Sequence, residues 1–303
     1  MQDDPGHFDP PPGVAVALAP DLVRVLAPNP SAMTFRGTNT YLLGRAALCV
    51  IDPGPDDPAH LAALLAAIGG RHVTKIIVTH SHRDHSAAAP ALREATGAPV
   101  VAFGKSTAGR SALMEQRLAA GLVAGGEGVD TGFAPDIRLA DGAEVAGEGW
   151  QLRALHTPGH FGNHLCLLWG RHLFSGDHAM GWASSLVSPP DGDMAAYMAS
   201  CARLLALGPV TLLPGHGAAV PDGAARLRAL IAHRQAREAA IRAALARGPQ
   251  RLAPLTTSVY TDTPPALFPA AQRNVLAHLI DLESRNLVRS AESPLTDPLY
   301  ELV

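Results

Sequence analysis

Cysteine is scarce in these 303 residues: Cys49, Cys166 and Cys201 lie far apart, are odd in number and never form a Cys-x-x-Cys pair, a usage that a reducing compartment permits. Charge of one sign is also missing. A formal net charge of −3 and a pI near 6.5 argue against a polyelectrolyte partner held by bulk charge. No uninterrupted apolar stretch approaches the ~18 residues of a membrane span, so no transmembrane helix is expected. The apolar segment Val14 to Ala19 lacks a basic flank and is too short for the core of a secretion signal. These absences predict a globular protein of the cytoplasm with no membrane partner. Its 47% hydrophobic content can bury a substantial core, and its length suggests about two domains.

What is present reads as alternating strands and helices. Residues 1–12 form a lead-in, and Pro28, Asn29 and Pro30 break the chain before the strand-like Asn39 to Leu43. After the Gly44-Arg45 turn, Leu48 to Ile51 reads as a buried strand ending at Asp52-Pro53-Gly54. Asp57-Pro58 supplies an N-cap and a first helical residue, with Leu61, Leu64, Leu65 and Ile68 on one face. Ile76-Ile77-Val78 is another buried strand, followed by a small-residue helix from Ser86 to Thr96 and the strand Val100 to Phe103, the rhythm of a layered α/β domain. Residues 104–130 carry no clear pattern, and Ile137 to Ala140, Ala143 to Ala146 and Trp150 to Leu155 read as a meander. The hairpin Tyr41 to Asp52 is echoed by Leu167 to Asp177; both turn at Gly-Arg and end in Asp. From Pro221 onward a long Ala- and Arg-rich helix stops at Gly248-Pro249. Helices near Leu255 to Tyr260 and Ala266 to Asn286 follow, then strands Leu287 to Arg289 and Leu299 to Val303, an order that suggests a winged helix.

The chemistry concentrates in Thr79-His80-Ser81-His82-Arg83-Asp84-His85, directly after a buried strand. In an extended segment His80 and His82 point to the same side and can converge on one ion. Asp84 and His85 follow as the chain turns into a helix and can aim at a second ion beside the first. Imidazoles and carboxylates suit zinc best, with iron or manganese possible. Three later positions follow apolar runs beside a glycine: His160, Asp177 and His216. Asp52 is open to two readings, a partner of the metal site or a turn former. Asp52 and His156 are candidates to hold the ligating imidazoles. His164 and His178 are candidate substrate-binding or proton-donating groups, and each reads equally as a hydrogen-bonded histidine of a strand end. Asn39 could line a pocket mouth, whereas Tyr41 reads as strand packing. His60, His72, His172 and His278 show no partner pattern.

The His80-x-His82-x-Asp84-His85 loop with His160, Asp177 and His216 resembles the ligand set of the metallo-β-lactamase superfamily. Gly37-Thr38-Asn39-Thr40-Tyr41-Leu42, the segment His233-Arg234 to Arg237-Glu238, and Tyr260-Thr261-Asp262-Thr263-Pro264 are similar to its β-lactamase-like protein 2 subgroup. The resemblance implies an α+β protein: a four-layer αββα sandwich over residues 1–225, then a connecting helix and winged-helix domain over residues 226–303. It implies that His80, His82 and His160 hold the first of two zinc ions and Asp84, His85 and His216 the second, with Asp177 bridging. It further implies a hydrolase whose dinuclear-zinc-activated hydroxide cleaves an ester, thioester, lactone, lactam or phosphodiester bond, with Asp84 orienting the nucleophile or taking its proton. No cysteine stands where the best-known zinc β-lactamases place one on the second metal, so antibiotic hydrolysis is at most a side activity. Flavodiiron relatives differ in carrying Glu where His82 stands.

Two substrate classes remain: a small-molecule acyl compound, or single-stranded RNA cut by an endoribonuclease with the winged helix on the strand. Residues 229–303 balance eight basic against seven acidic side chains, without the basic stripe or aromatic run of a nucleic-acid module. The winged helix is then expected to shape the pocket wall or to mediate a homodimer. A non-catalytic winged-helix binding protein would be expected to lack some of the ligands, and none is missing.

Overall fold

The structure is a computed structural model that describes residues 8–123, 125, 128–291 and 298–303. The chain opens with β1 (Ala15–Ala19), β2 (Leu22–Leu26), β3 (Asn39–Leu43) and β4 (Ala47–Ile51), an antiparallel series. Helix α1 (Pro58–Ile68) crosses to β5 (His72–Ile77); α2 (Arg83–Ser86) and α3 (Ala89–Thr96) lead to β6 (Val100–Ala102); α4 (Ala112–Ala119) precedes β7 (Ile137–Arg138). Strands β4 to β7 run parallel, completing a seven-stranded sheet in chain order.

Strands β8 (Glu144–Gly147), β9 (Trp150–His156), β10 (Leu165–Trp169) and β11 (His172–Gly176) are successively antiparallel. Helix α5 (Met194–Leu205) returns the chain to β12 (Thr211–Pro214), parallel to β11, closing a five-stranded sheet. Alternation along the strands sorts the cores. Tyr41, Leu43, Cys49 and Ile51 face Leu165, Leu167 and Phe174 of the second sheet. Leu42, Leu48 and Val50 point the other way, under Ile68 and Leu92 of α1 and α3. Leu155, Cys166 and Leu173 on the outer face of the second sheet are covered by α5 and by Leu227 and Leu230 of α6 (Gly223–Leu245). The result is four layers, helix, sheet, sheet, helix, and double coverage is why these strands read as unbroken apolar runs.

Beyond α6 come β13 (Gln250–Arg251), α7 (Leu252–Val259), α8 (Phe268–Ser284), β14 (Val288–Ala291) and β15 (Leu299–Leu302), a three-stranded sheet with β15 central. Its core, Leu255, Val275, Leu279, Leu282, Val288 and Tyr300, also takes Ile241, Ala244 and Leu245 of α6, so that helix serves two cores.

Several sequence expectations need correction. The helix expected over Ser86 to Thr96 is two pieces, because Pro90 has no N–H to donate across the junction. The expected meander is divided: Ile137–Arg138 pairs with β6 in the first sheet, while β8 and β9 form a hairpin of the second. Strands β1 and β2 are a pair that the sequence pattern does not announce. Of the lead-in, residues 1–7 lie outside the described part, whereas Phe8 is buried against Leu26 and Phe35. The hairpin echo is real in topology: β3–β4 and β10–β11 are each antiparallel, and the second strand of each then pairs parallel with β5 or β12.

Candidate metal centre

Strands β4, β5, β9, β11 and β12 end along one rim of the sandwich, and each delivers polar residues there: Asp52, the His80 to His85 loop, His160, Asp177 and His216. The seven side chains grouped from sequence fall into two clusters, His80, His82 and His160, and Asp84, His85, Asp177 and His216.

In the first cluster His82 Nδ1 lies 3.0 Å from both His80 Nε2 and His160 Nε2. Their outer nitrogens fix the tautomers. His160 Nδ1 donates to the Leu186 carbonyl at 2.6 Å. His80 Nδ1 meets Thr79 Oγ1 at 3.0 Å, and that hydroxyl gives its own proton to Asp52 Oδ2 at 2.8 Å. The inner nitrogens of His80 and His160 therefore present lone pairs to one point. Three nitrogens of a tetrahedral zinc site, ~2.0–2.1 Å from the ion, would sit roughly 3.3 Å apart, close to the observed spacing. Burial, then the neighbouring imidazoles, pushes His80 well below the ordinary histidine value and His82 to about 3, so both stay neutral and able to ligate.

The second cluster sets imidazole nitrogens against carboxylates. His85 Nδ1 donates to Asp52 Oδ2 at 2.9 Å and His216 Nδ1 to the Gly37 carbonyl at 3.0 Å. Their inner Nε2 atoms face Asp84 Oδ2 at 3.5 and 3.2 Å, and Asp177 oxygens at 3.4 and 3.3 Å. Among the described residues, buried His85 Nε2 and Asp177 Oδ1 have no hydrogen-bond partner. Burial alone would raise Asp84 and Asp177, but His85 and His216 hold both well below the usual carboxylate range. Burial would lower the two histidines, and the carboxylates outweigh it, pushing His216 to about 10. Imidazole nitrogens held against anionic oxygens call for positive charge between them: protons on His85 and His216 meet that call without metal, and a divalent cation would displace those protons and take the freed lone pairs. Asp177 Oδ2, 3.9 Å from His160 Nε2 and 3.3 Å from His216 Nε2, stands between the clusters. Gly215 leaves the space: a Cβ there would crowd Asp177 Oδ1 and come within 2.6 Å of His85 Cε1.

The structure decides among the supporting roles. Asp52 also accepts from the Thr79 N–H at 2.7 Å, so it braces both clusters. His156 does not hold a ligating imidazole: its Nε2 meets the Gly162 carbonyl at 2.8 Å and its ring stacks 3.7 Å from Phe103. His164 is fully buried with Nδ1 on Thr157 Oγ1 at 3.0 Å, and His178 Nε2 faces Cys201 Sγ at 3.4 Å; neither lines the cleft. Asn39 is buried too, its amide donating to the Pro214 and Gly217 carbonyls at 3.0 and 2.8 Å, and Tyr41 donates to Pro214 at 2.8 Å. Both therefore strap the His216 turn to β3. His60, without an assigned partner in sequence, packs beside Thr40 Oγ1 at 3.0 Å. Sequence reasoning missed Asn163, whose amide braces Ser81, Gly104 and Lys105 behind the metal loop.

A cleft of about 510 Å³ opens over both clusters. His82, Asp84, His160, Asp177 and His216 form its floor; Met33, Met180, Trp182, Ala183 and Leu186 line one part of the wall, and Tyr260, Leu267, Ala270 and Ala271 of the C-terminal module another. Arg83 is the one arginine or lysine among the described lining residues. No described helix is long and apolar enough to cross a membrane.

Residues 33–216 match the metallo-beta-lactamase superfamily, and residues 252–296 the beta-lactamase associated winged helix domain. A beta-lactamase-like protein 2 homolog of Drosophila melanogaster is 31% identical over 91% of this chain and 92% of its own. An atrochrysone carboxyl ACP thioesterase of Aspergillus fumigatus is 28% identical over 75% of this chain and 66% of its own. The crystal structure of a metallo-beta-lactamase family protein from Thermus thermophilus superposes with a TM-score of 0.77 at 26% identity, covering 95% of this chain and all of that one.

Proposed function

This chain belongs to the metallo-beta-lactamase superfamily, and on that premise we propose that it is a metal-dependent hydrolase of thioesters or esters with a bulky apolar acyl group. The observation that carries the reading is the cleft: apolar side chains line the approach to the two clusters, and Arg83 is the one arginine or lysine among the described lining residues. An apolar wall favours an acyl chain or ring system. Phosphodiester strands call for several cations along the backbone, which this lining lacks. The similarity to an acyl-carrier-protein thioesterase supports a thioester among the acyl substrates.

His80, His82 and His160 would hold one divalent ion and Asp84, His85 and His216 another, with Asp177 between them; the mixed nitrogen and oxygen donors suit zinc, with iron or manganese next. When bound, such a pair supplies Lewis acidity and brings the pKa of water from about 15.7 toward 7. Asp84, ionised and on the cleft floor, would orient the attacking water and take up its proton. Trp182, Met180 and Leu186 would hold the acyl body and exclude bulk water.

The test is zinc-loaded protein against acyl thioesters of increasing chain length and a single-stranded RNA oligonucleotide, with His82→Ala as the blank. Metal-dependent thioester cleavage with KM falling as the acyl group lengthens is expected. RNA cleavage with inert thioesters would overturn it in favour of an endoribonuclease.

A further inference from the structure

The long helix α6 carries Arg234, 1% exposed, in the segment that sequence singled out without a role. Its described partners are carbonyl oxygens and an aromatic face, not a carboxylate: Nη2 donates to the Ser185 carbonyl, Nη1 to Asn274 Oδ1 at 3.2 Å, and the guanidinium lies 5.2 Å from the Tyr197 ring centre. Burying a guanidinium without a counter-charge is costly, so its placement calls for a reason.

The reason lies in the loop it grips. Asn274 Oδ1, on α8, also accepts from the Val187 N–H at 3.0 Å, and Arg273 Nε donates to Ser188 Oγ at 2.9 Å. Ser185 is thus fastened to α6 and Val187 to α8, on either side of Leu186. Leu186 offers the carbonyl that accepts from His160 Nδ1 at 2.6 Å, the bond that sets that imidazole's tautomer and its direction toward His82. A carbonyl on a connecting loop points where its two flanking peptides put it, and here both flanks are held by Arg234 and Asn274.

We propose that Arg234 and Asn274 are positioning residues for His160, so that the C-terminal module completes the three-histidine cluster from outside. The inference rests on the metal-binding reading above. Its test reads metal affinity directly: metal-free protein is titrated with zinc against a chromogenic chelator, resolving the two equivalents. Asn274→Ala is expected to weaken one equivalent about tenfold or more and leave the other unchanged, as loss of a partner behind a ligating histidine typically does. Asn274→Asp, which keeps an acceptor for both Val187 N–H and Arg234, is expected to restore it. Arg234→Lys, which keeps charge but loses the two-pronged donor, is expected to weaken the same equivalent and serves if Asn274→Ala does not fold. Two unchanged equivalents in the variants, or equal weakening of both in step with a lower thermal midpoint, would overturn the proposal while leaving the hydrolase reading intact. Wild-type protein that takes up no zinc, iron or manganese would overturn both.

Discussion

Asp52 adopts φ of 52°, in the left-handed region that Asp and Asn tolerate better than most residues, and from there one carboxylate serves Thr79 N–H, Thr79 Oγ1 and His85 Nδ1. The backbone conformation and the carboxylate are separable. Asp52→Asn keeps the first and removes the second, turning one acceptor atom into a donor that faces either Thr79 or His85. Metal affinity is expected to fall by roughly 10–100-fold, the range typical of such outer partners, with the fold retained. Equilibrium dialysis alongside circular dichroism checks this, and unchanged affinity would return Asp52 to the role of a turn former. That role was all the Asp-Pro-Gly motif could establish, because the contact to His85 spans 33 residues.

Among the elements, β3 acts as the strap of the His216 turn. Asn39 N donates to the Gly215 carbonyl at 2.7 Å, and Asn39 Nδ2 and Tyr41 OH converge on the Pro214 carbonyl. Tyr41→Phe removes one of two donors to that oxygen while keeping the ring against Phe174, so a loss of about 1 kcal/mol is expected in urea unfolding of the metal-free protein. A loss well beyond that would mean the hydroxyl does more than strap the turn. The apolar pattern of Asn39 to Leu43 announced a strand but not what its polar side chains reach for, since Pro214 lies 173 residues away.

The molecule as a whole carries neutral histidines in its interior, and they make its stability depend on pH. Burial pushes His60 down to about 4, partly opposed by Asp57, and pushes His278 to about 3, with Arg234 adding to the effect. In the unfolded chain both titrate near ~6.5. Their folded values are depressed, so the unfolded state binds more protons below that pH, and stability falls as pH drops from about 6.5 toward 4. By pH 4 each costs roughly 3 kcal/mol at about 1.4 kcal/mol per pH unit. Denaturant unfolding at pH 7 and pH 4.5 should show the decline, and His278→Leu should flatten it. An equal decline in that variant would remove His278 from the account.

Local sequence marks most of the alternating strands and helices and the residues that gather at one rim. Apolar runs mark strands covered on two faces, and His80 to His85, Pro158-Gly159-His160, Gly176-Asp177 and Gly215-His216 each sit where a strand stops. Which polar groups stand behind those residues, and what wall faces them, emerged only with tertiary packing. Leu186 holds His160 by a backbone carbonyl, which any residue possesses and no sequence pattern marks. The cleft wall joins Trp182 to Leu267 and Ala271, and Arg234 reaches a loop 49 residues earlier. Such contacts arise from packing α6 and α8 against α5 over the second sheet, where burial and long-range geometry act together and local periodicity is silent.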